Sequence, residues 1–291
     1  MQIQDILQNP DYKQKFVIEK FIQEVLQISR EEMRMQLERD ISDSEADQII
    51  RYYHSYVEDK KPMEYILGHV DFFGIPFEVN ENTLIPRPET EYMITAVTEY
   101  TQEKFVKSNK TWYLLDIGTG CWVLGISVLL QNPDAYDEIF FSDISQGALF
   151  VAQQNYKNLI ERKYTNQFLQ SDLTAFLKDY TLDTNKYITL VANLPYIPNE
   201  TFDQNSPDNV QKREPRMAFV WWDDWLDYYR QMFNQLFVYH DEWKIWSIMM
   251  FLEMMTRQVE ILQSEFWDRL SFEEVKTFHF NIRIVKATRK N

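Results

Sequence analysis

Apolar positions in the first sixty-odd residues recur at helical spacing. From Tyr12 to Ile28 the residues Phe16, Ile18, Phe21, Ile22, Val25 and Leu26 fall on one stripe. Ser29-Arg-Glu-Glu32 is a capping box opening a second helix through Leu37. Ser42 or Asp43 caps a third, which carries Ile49, Ile50, Tyr53 and Val57 at helical spacing. These stripes predict a small helical domain and read as its core, not as a ligand box. From His69 to Val79 the period shortens to two around Gly74, as in a β-hairpin that would connect domains. From Tyr92 onward helices and strands alternate, ending in the strand Asn281-Ile-Arg-Ile-Val-Lys-Ala287. That alternation predicts a doubly wound α/β sheet, mostly parallel, with helices on both faces.

Four apolar runs in this second part end in residues that carry chemistry. Trp112-Tyr-Leu-Leu-Asp116 leads into Ile117-Gly118-Thr119-Gly120-Cys121-Trp122 and then the apolar run Val123 to Leu130, a strand, glycine turn and helix. Glycines at 118 and 120 let the backbone turn tightly and approach a ligand, and the helix start offers free N–H groups. The turn does not complete the dinucleotide pattern, because Val123 stands where its last glycine would be. Glu138-Ile-Phe-Phe-Ser142 ends in Asp143, an acid at about 20 residues past the glycines, placed for the hydroxyls of a ribose. Phe168-Leu-Gln-Ser171 ends in Asp172, suited to the amino group of an adenine, with Leu173 lining the ring. Taken singly, each acid is more ordinarily a loop carboxylate or helix cap.

The fourth run, Tyr187-Ile-Thr-Leu-Val-Ala192, has the length and β-branched content of a buried parallel strand and is followed by Asn193-Leu194-Pro195-Tyr196. Open α/β sheets place ligands at such carboxyl ends. An amide or exocyclic amino nitrogen is a poor nucleophile, since its lone pair is delocalised. The side-chain carbonyl of Asn193 and the backbone carbonyl of Leu194 can each accept a hydrogen bond from such an NH2 group, aligning it and stabilising the positive charge that develops. Pro195 would fix the turn and Tyr196 offer a stacking face. Glycine turn, Asp143, Asp172 and the tetrapeptide on four successive strand ends together describe a site for S-adenosylmethionine followed by its acceptor.

At this point the chain resembles the release factor glutamine N5-methyltransferases, the HemK/PrmC family, over nearly its whole length. The likeness is carried by Pro62-Met-Glu-Tyr65-Ile-Leu-Gly68, Phe72-Phe-Gly74 and Leu84-Ile-Pro-Arg-Pro-Glu-Thr-Glu91. It continues in Glu214-Pro215, Ala218, Asp224 through Tyr229-Arg230, and the pair Glu253 and Gln258. The resemblance implies a Rossmann-like class I methyltransferase with three parts: a helical domain over 1–67 that helps grip the substrate protein, a hairpin connector over 68–84 and a catalytic domain over 85–291. It implies catalytic and substrate-binding roles for Asn193, Leu194, Pro195 and Tyr196. Cofactor-binding positions would be Asp116, Gly118, Thr119, Gly120, Cys121, Trp122, Asp143, Asp172, Leu173 and Asn193. Arg87, Glu89 and Glu91 would hold the methionine end of the cofactor or close the site, against the reading of both glutamates as first-turn helix acids. The acceptor implied is the glutamine of a Gly-Gly-Gln tripeptide in a peptide chain release factor.

Two departures stand out. The family tetrapeptide is usually Asn-Pro-Pro-Tyr, so Leu194 differs, mildly because that residue acts through its backbone carbonyl. The sequence Asn-Leu-Pro-Tyr also occurs in adenine N6-methyltransferases. Secondly, Trp122 stands at the third glycine of the family's cofactor turn, and Trp221-Trp222-Asp-Asp-Trp225 where the family has Gly-Gly-x-x-Gly. Glycine is 6 of 291 residues, against an ordinary share of about 7%, while tryptophan is 8. One cause would explain both: a UGA codon that some bacterial lineages read as glycine, translated as tryptophan. Trp243, Trp246 and Trp267 are looser candidates, Trp112 is unassigned, and Met255, at another family glycine, is not explained this way. The alternative is a genuine aromatic patch, in which the Trp122 indole lies where backbone would touch the cofactor and a positive φ would strain it.

With 45 acidic against 30 basic side chains the formal charge is −15, which opposes approach to a polyphosphate. An acidic enzyme is better matched to a basic protein, so a release factor is the expected partner and nucleic acid is not. Lys212-Arg213 with Arg216 is the one small basic cluster noted. No run approaches the roughly 20 apolar residues of a membrane span, and Met1-Gln-Ile-Gln-Asp5 lacks the basic and then apolar segments of a secretory leader, so a cytoplasmic protein is expected. The single cysteine, Cys121, excludes an internal disulfide and a cysteine zinc cluster. His54, His69, His240 and His279 have no metal-ligand spacing, and no metal is expected. Two rival functions remain: an adenine N6-methyltransferase on RNA or DNA, and a non-catalytic binding module should a genuine Trp122 block the cofactor.

Overall fold

The computed structural model describes residues 1–108, 111–183, 185–221, 226–243, 248–277 and 282–290. The chain divides into two compact units: Met1–Gly68 with Pro207–Arg213, and His69–Ser206 with Glu214–Asn291.

The first unit contains α1 (Ile3–Gln8), α2 (Lys15–Leu26), α3 (Arg30–Met35), α4 (Asp43–Val57) and α5 (Met63–Leu67). Reciprocal side-chain caps start two of them. Glu32 N donates to Ser29 Oγ at 3.1 Å while Ser29 N donates to Glu32 Oε2 at 2.7 Å, and Ser42 and Glu45 repeat the arrangement at α4. Ile18, Phe21 and Ile22 of α2 are fully buried with Ile3 and Ile49. Phe16, expected on the buried stripe, is 68% exposed, and Val17 takes its place. The 3.6-residue period explains the correction, since Val17 is one turn before Phe21 and Phe16 falls outside that arc.

The second unit opens with the hairpin β1 (His69–Phe72) and β2 (Ile75–Glu78). Phe73 and Gly74 both have positive φ, 52° and 74°, as a two-residue turn of this hand requires. The hairpin is tied to the sheet domain by Asn155, whose Oδ1 accepts from Glu78 N at 2.7 Å and whose Nδ2 donates to Glu78 O at 2.9 Å. Phe73 N donates to Glu91 Oε1 at 2.8 Å, so Glu91 anchors the hairpin turn.

There follow α6 (Glu91–Ser108), β3 (Trp112–Ile117), α7 (Val123–Gln131), β4 (Tyr136–Asp143), α8 (Gln146–Leu159), β5 (Thr165–Gln170) and β6 (Tyr187–Ala192). Next come β7 (Ile197–Pro198), α9 (Asn199–Asn205), α10 (Asp208–Arg213, in the first unit), β8 (Val220–Trp221) and α11 (Asp227–Trp243). The last elements are β9 (Ile248–Met255), α12 (Thr256–Glu265), β10 (Leu270–Thr277) and β11 (Ile282–Arg289). The main sheet has the order β10-β11-β9-β6-β3-β4-β5. The pairs β9·β6, β6·β3, β3·β4 and β4·β5 are parallel, and β10 and β11 are added antiparallel. All six residues of β3 are buried, as expected for a strand covered on both faces. The chain leaves β3 for β4 on one side while β6 lies on the other, which makes the end of β3 a topological switch point. Register aligns the exits: Ile117 pairs with Ser142 and with Ala192, so the glycine turn, Asp143 and Asn193 all start from one edge.

Candidate active site

The glycine turn after β3 is bonded to its neighbour strand before any ligand enters the argument. Gly118 N and Thr119 N both donate to Ser142 O, at 2.8 and 3.1 Å. Gly118 and Gly120 have φ of 67° and 54°. Gly120 N donates to Asp143 Oδ2 at 2.9 Å, and Ser145 N donates to Asp143 Oδ1 at 2.8 Å. Burial, opposed by these bonds, pushes the Asp143 carboxyl above its ordinary range.

A cleft partly open to solvent runs along this edge. Gly118, Gly120 and Asp143 line one stretch, Asp172 and Leu173 the next, and Asn193, Leu194 and Pro195 the end beyond β6. These are the four strand ends singled out in the sequence, brought to one cavity. Further wall comes from Asn82, Thr83 and Leu84, from Met217 and Ala218, and from Tyr228. Leu84 and Ala218 belong to motifs already noted, whereas Asn82 and Met217 carried no periodic or chemical signal. The donor set fits an adenine nucleoside: carboxylates at 143 and 172, the apolar Leu173 between, and a backbone at 118 with no side chain to fill the space. Asp172 Oδ2 already accepts from Gln231 Nε2 at 2.6 Å, which fixes that carboxylate's direction.

Several expected site residues stand elsewhere. Asp116 is buried, and its Oδ2 accepts from Gly125 N at 2.8 Å, holding the start of α7. Its carboxyl is pushed up to about 7, chiefly by burial. Thr119 and Cys121 are buried behind the turn; the Cys121 thiol, pushed up to about 12 by burial, is no nucleophile. Arg87 pairs with the buried Glu214 at 2.8 Å and stands over the Phe219 ring, while Glu214 also accepts from Ile85 N at 3.0 Å. Arg87, Glu89 and Tyr196 are outside the cleft lining.

Trp122 is the sharpest departure from expectation. It caps α7 with φ 81°, in the left-handed region, and its fully buried indole turns away from the cleft into the core. There it meets Phe141, Phe168 and Tyr156 at centroid distances of 3.6, 4.8 and 5.0 Å. Its Nε1 is buried with no hydrogen-bond partner. The expected collision of indole and cofactor is therefore replaced by crowding behind the turn. Trp222, Asp223, Asp224, Trp225, Trp246 and His279 lie outside the described residues, as do the side chains of Trp221, His240 and Trp243. Trp267 is exposed on the surface.

Behind the tetrapeptide lies a buried polar cluster whose chemistry the sequence did not disclose. Glu253 on β9 is 1% exposed. Its Oε2 accepts from Thr90 Oγ1 and its Oε1 from Tyr196 OH, both at 2.8 Å. Asn193 Nδ2 donates to Thr90 Oγ1 at 3.2 Å. Tyr229 OH donates to the backbone carbonyl of Glu253. Burial raises the Glu253 carboxyl above its ordinary value, against the lowering effect of these bonds. Among the described residues no group of three or more His, Cys, Asp or Glu could hold a metal ion, and no helix is long and apolar enough to cross a membrane.

Comparison with known proteins bears on this site directly. No protein-family model matches the chain. A release factor glutamine methyltransferase of Bacillus cereus is 33% identical over 212 residues, 73% of this chain and 71% of that protein. One from Streptococcus pneumoniae is 30% identical over 246 residues, 83% of this chain and 78% of its own. Among solved structures, the N-terminal domain of human METTL16 in complex with SAH has a TM-score of 0.50 at 13% identity, covering 96% of this chain and 94% of that one. The catalytic domain of the same human protein with a MAT2A 3'UTR hairpin reaches 0.55 at 11% identity, covering 96% and 91%. At such identities these two speak for the fold alone, whereas the bacterial relatives match most of both sequences. The chain belongs to the release factor glutamine methyltransferase family, S-adenosylmethionine-dependent enzymes of the class I methyltransferase fold.

Proposed function

We propose that the cleft is the methyl-transfer site and that its acceptor is the side-chain amide of the glutamine in a release factor's Gly-Gly-Gln segment. The observation that carries this reading is the meeting of Gly118, Asp143, Asp172 and Asn193 on one cavity. Asp143 would hold the ribose hydroxyls, Asp172 the adenine amino group, and Leu173 the ring. S-adenosylmethionine supplies a methyl group on sulfonium, an electrophile that needs no metal and no covalent enzyme intermediate. Asn193 Oδ1 and the Leu194 carbonyl accept the two amide hydrogens of the glutamine, turning its lone pair toward the cleft and stabilising the charge it gains. Once that lone pair is committed the nitrogen becomes acidic, so the proton leaves without a strong base. Exclusion of water and alignment supply most of the acceleration.

The helical unit is assigned to gripping the substrate protein, with the parts drawn at 1–67, 68–84 and 85–291. A formal charge of −15 supports a basic protein partner in the cytoplasm over nucleic acid or a membrane surface. The non-catalytic alternative loses its reason, since Trp122 is not in the cleft lining.

The test is incubation of the chain with S-adenosylmethionine and a release factor from the same genome, followed by peptide mass measurement. One added methyl on the glutamine of the Gly-Gly-Gln peptide is expected, and Asn193→Ala should lose it while keeping cofactor affinity. Methylation of RNA or DNA with steep salt dependence, and none of the release factor, would overturn the reading.

A further inference from the structure

We infer that Glu253, acting through Thr90, sets which way the side-chain amide of Asn193 points, so that its oxygen and not its nitrogen faces the acceptor. This rests on the reading of Asn193 as the acceptor-binding residue.

An asparagine amide is nearly symmetric in shape, and only its neighbours decide where oxygen and nitrogen lie. An ionised carboxylate can only accept. Glu253 therefore takes the single proton of Thr90 Oγ1, in a bond of 2.8 Å. With that proton committed, Thr90 Oγ1 can meet Asn193 only as an acceptor, and Asn193 Nδ2 donates to it at 3.2 Å. The NH2 group is thus drawn inward, and Oδ1 is left for the side of the residue that lines the cleft. Tyr196 OH spends its proton on the other carboxylate oxygen at 2.8 Å and so cannot reverse the pattern. A reversed Asn193 would present N–H to N–H, and the site would hold its substrate without aligning it.

Thr90→Val, Thr90→Ser and Glu253→Gln, beside Asn193→Ala, test this. Valine keeps the shape of threonine and removes the relay; serine keeps the hydroxyl. Thr90→Val should lower kcat by roughly 10- to 100-fold, the scale of a misaligned reacting group. KM for the release factor and cofactor affinity should stay within about threefold, a change of less than 1 kcal/mol. Thr90→Ser should return kcat to within about threefold of the parent. Glu253→Gln, which puts a donor where only acceptors stood, should resemble Thr90→Val. A readout independent of turnover is the Asn193 side-chain NH2 signal, assigned by its loss in Asn193→Ala. Its hydrogen exchange should quicken in Thr90→Val and stay slow in Thr90→Ser. Unchanged kcat and exchange in Thr90→Val, with Asn193→Ala inactive, would overturn the inference. Full activity of Asn193→Ala would instead overturn the reading of the site. Should Glu253→Gln fail to fold, the Thr90 pair still decides.

Discussion

The ring centroids of Trp122 and Phe141 stand 3.6 Å apart at an interplanar angle of 88°. Edge-to-face aromatic pairs ordinarily keep about 4.5 to 7 Å, so this pair is crowded. The same tryptophan holds φ at 81°, and its Nε1 is buried without a partner. Left-handed backbone at a bulky residue costs about 1–3 kcal/mol, overpacking typically about 1–3, and an unsatisfied buried donor about 1–3. A glycine at this position removes all three. Trp122→Gly is therefore expected to raise the thermal midpoint, where truncation of a well-seated core tryptophan costs about 3–5 kcal/mol. Thermal unfolding of the two proteins checks it. A fall of several kcal/mol would mean that the core is built around the indole, and recoding of UGA would lose its structural support.

Gly118 and Leu194 join the glycine turn to the loop after β6. A Cβ on Gly118 would lie 2.9 Å from Leu194 Cδ2, and Gly118 also has φ of 67°. Gly118→Ala should weaken S-adenosylmethionine binding by tenfold or more, about 1.4 kcal/mol, measured by titration calorimetry. Leu194→Ala keeps the backbone carbonyl and should keep most of kcat, while losing about 2–5 kcal/mol of stability as a buried leucine. Combined, the two changes should be less than additive in binding, because the second removes the contact but not the positive φ.

How far the sequence reaches is clear at these residues. A strand period followed by Gly118, Asp143, Asp172 or Asn193 is legible because parallel strands deliver their ends to one edge, whatever lies between. Asn82, Met217 and Tyr228 reach the same cleft through loops and a helix start, whose placement no period encodes. On α2 the apolar stripe includes Phe16 by sequence, but the buried arc runs through Val17, one residue on along the helical wheel. Trp122 stands in the turn, where a genuine tryptophan reads as facing the cofactor; the direction of its Cβ from a left-handed helix cap sends it to the core instead. Glu253 is visible in the sequence only as a matching position, since a lone acid in the Met-rich β9 run announces neither its burial nor its three donors, the Tyr229 hydroxyl to its backbone among them.

Asp116 predicts the stability of the fold against pH. Burial pushes its carboxyl up to about 7, from an ordinary 3.8. Between those values the unfolded chain ionises while the folded chain retains the proton, so stability falls as pH rises through this window and levels above about 7. Asp116→Asn stays neutral and still accepts from Gly125 N through its oxygen. It should abolish that decline and exceed the parent at pH 8 by up to roughly 4 kcal/mol, the equivalent of the shift. Urea unfolding from pH 4 to 8 measures the difference. Equal slopes in parent and variant would place the ionisation elsewhere.

Glu253 predicts the acid limb of turnover, and its sign is opposite to that of unfolding. Its carboxyl is raised by burial above the ordinary 4.5, with Glu89 adding repulsion, while Thr90, Tyr196 and Asn193 hold it down through hydrogen bonds. The neighbouring titratable hydroxyls, Tyr196 and Tyr229, are both raised and stay protonated through the acid range. As pH falls through the raised value, the carboxylate gains a proton and becomes a donor toward Thr90 or Tyr196, and the order that turns Asn193 is lost. Turnover should therefore drop at a higher pH than an ordinary glutamate would dictate. Because the raised group binds its proton more tightly when folded, its contribution to stability grows as pH falls, so the loss is not denaturation. Circular dichroism should stay constant across the limb. Glu253→Gln should run low and flat over the same range; an acid limb of unchanged position in that variant would assign the titration to another group.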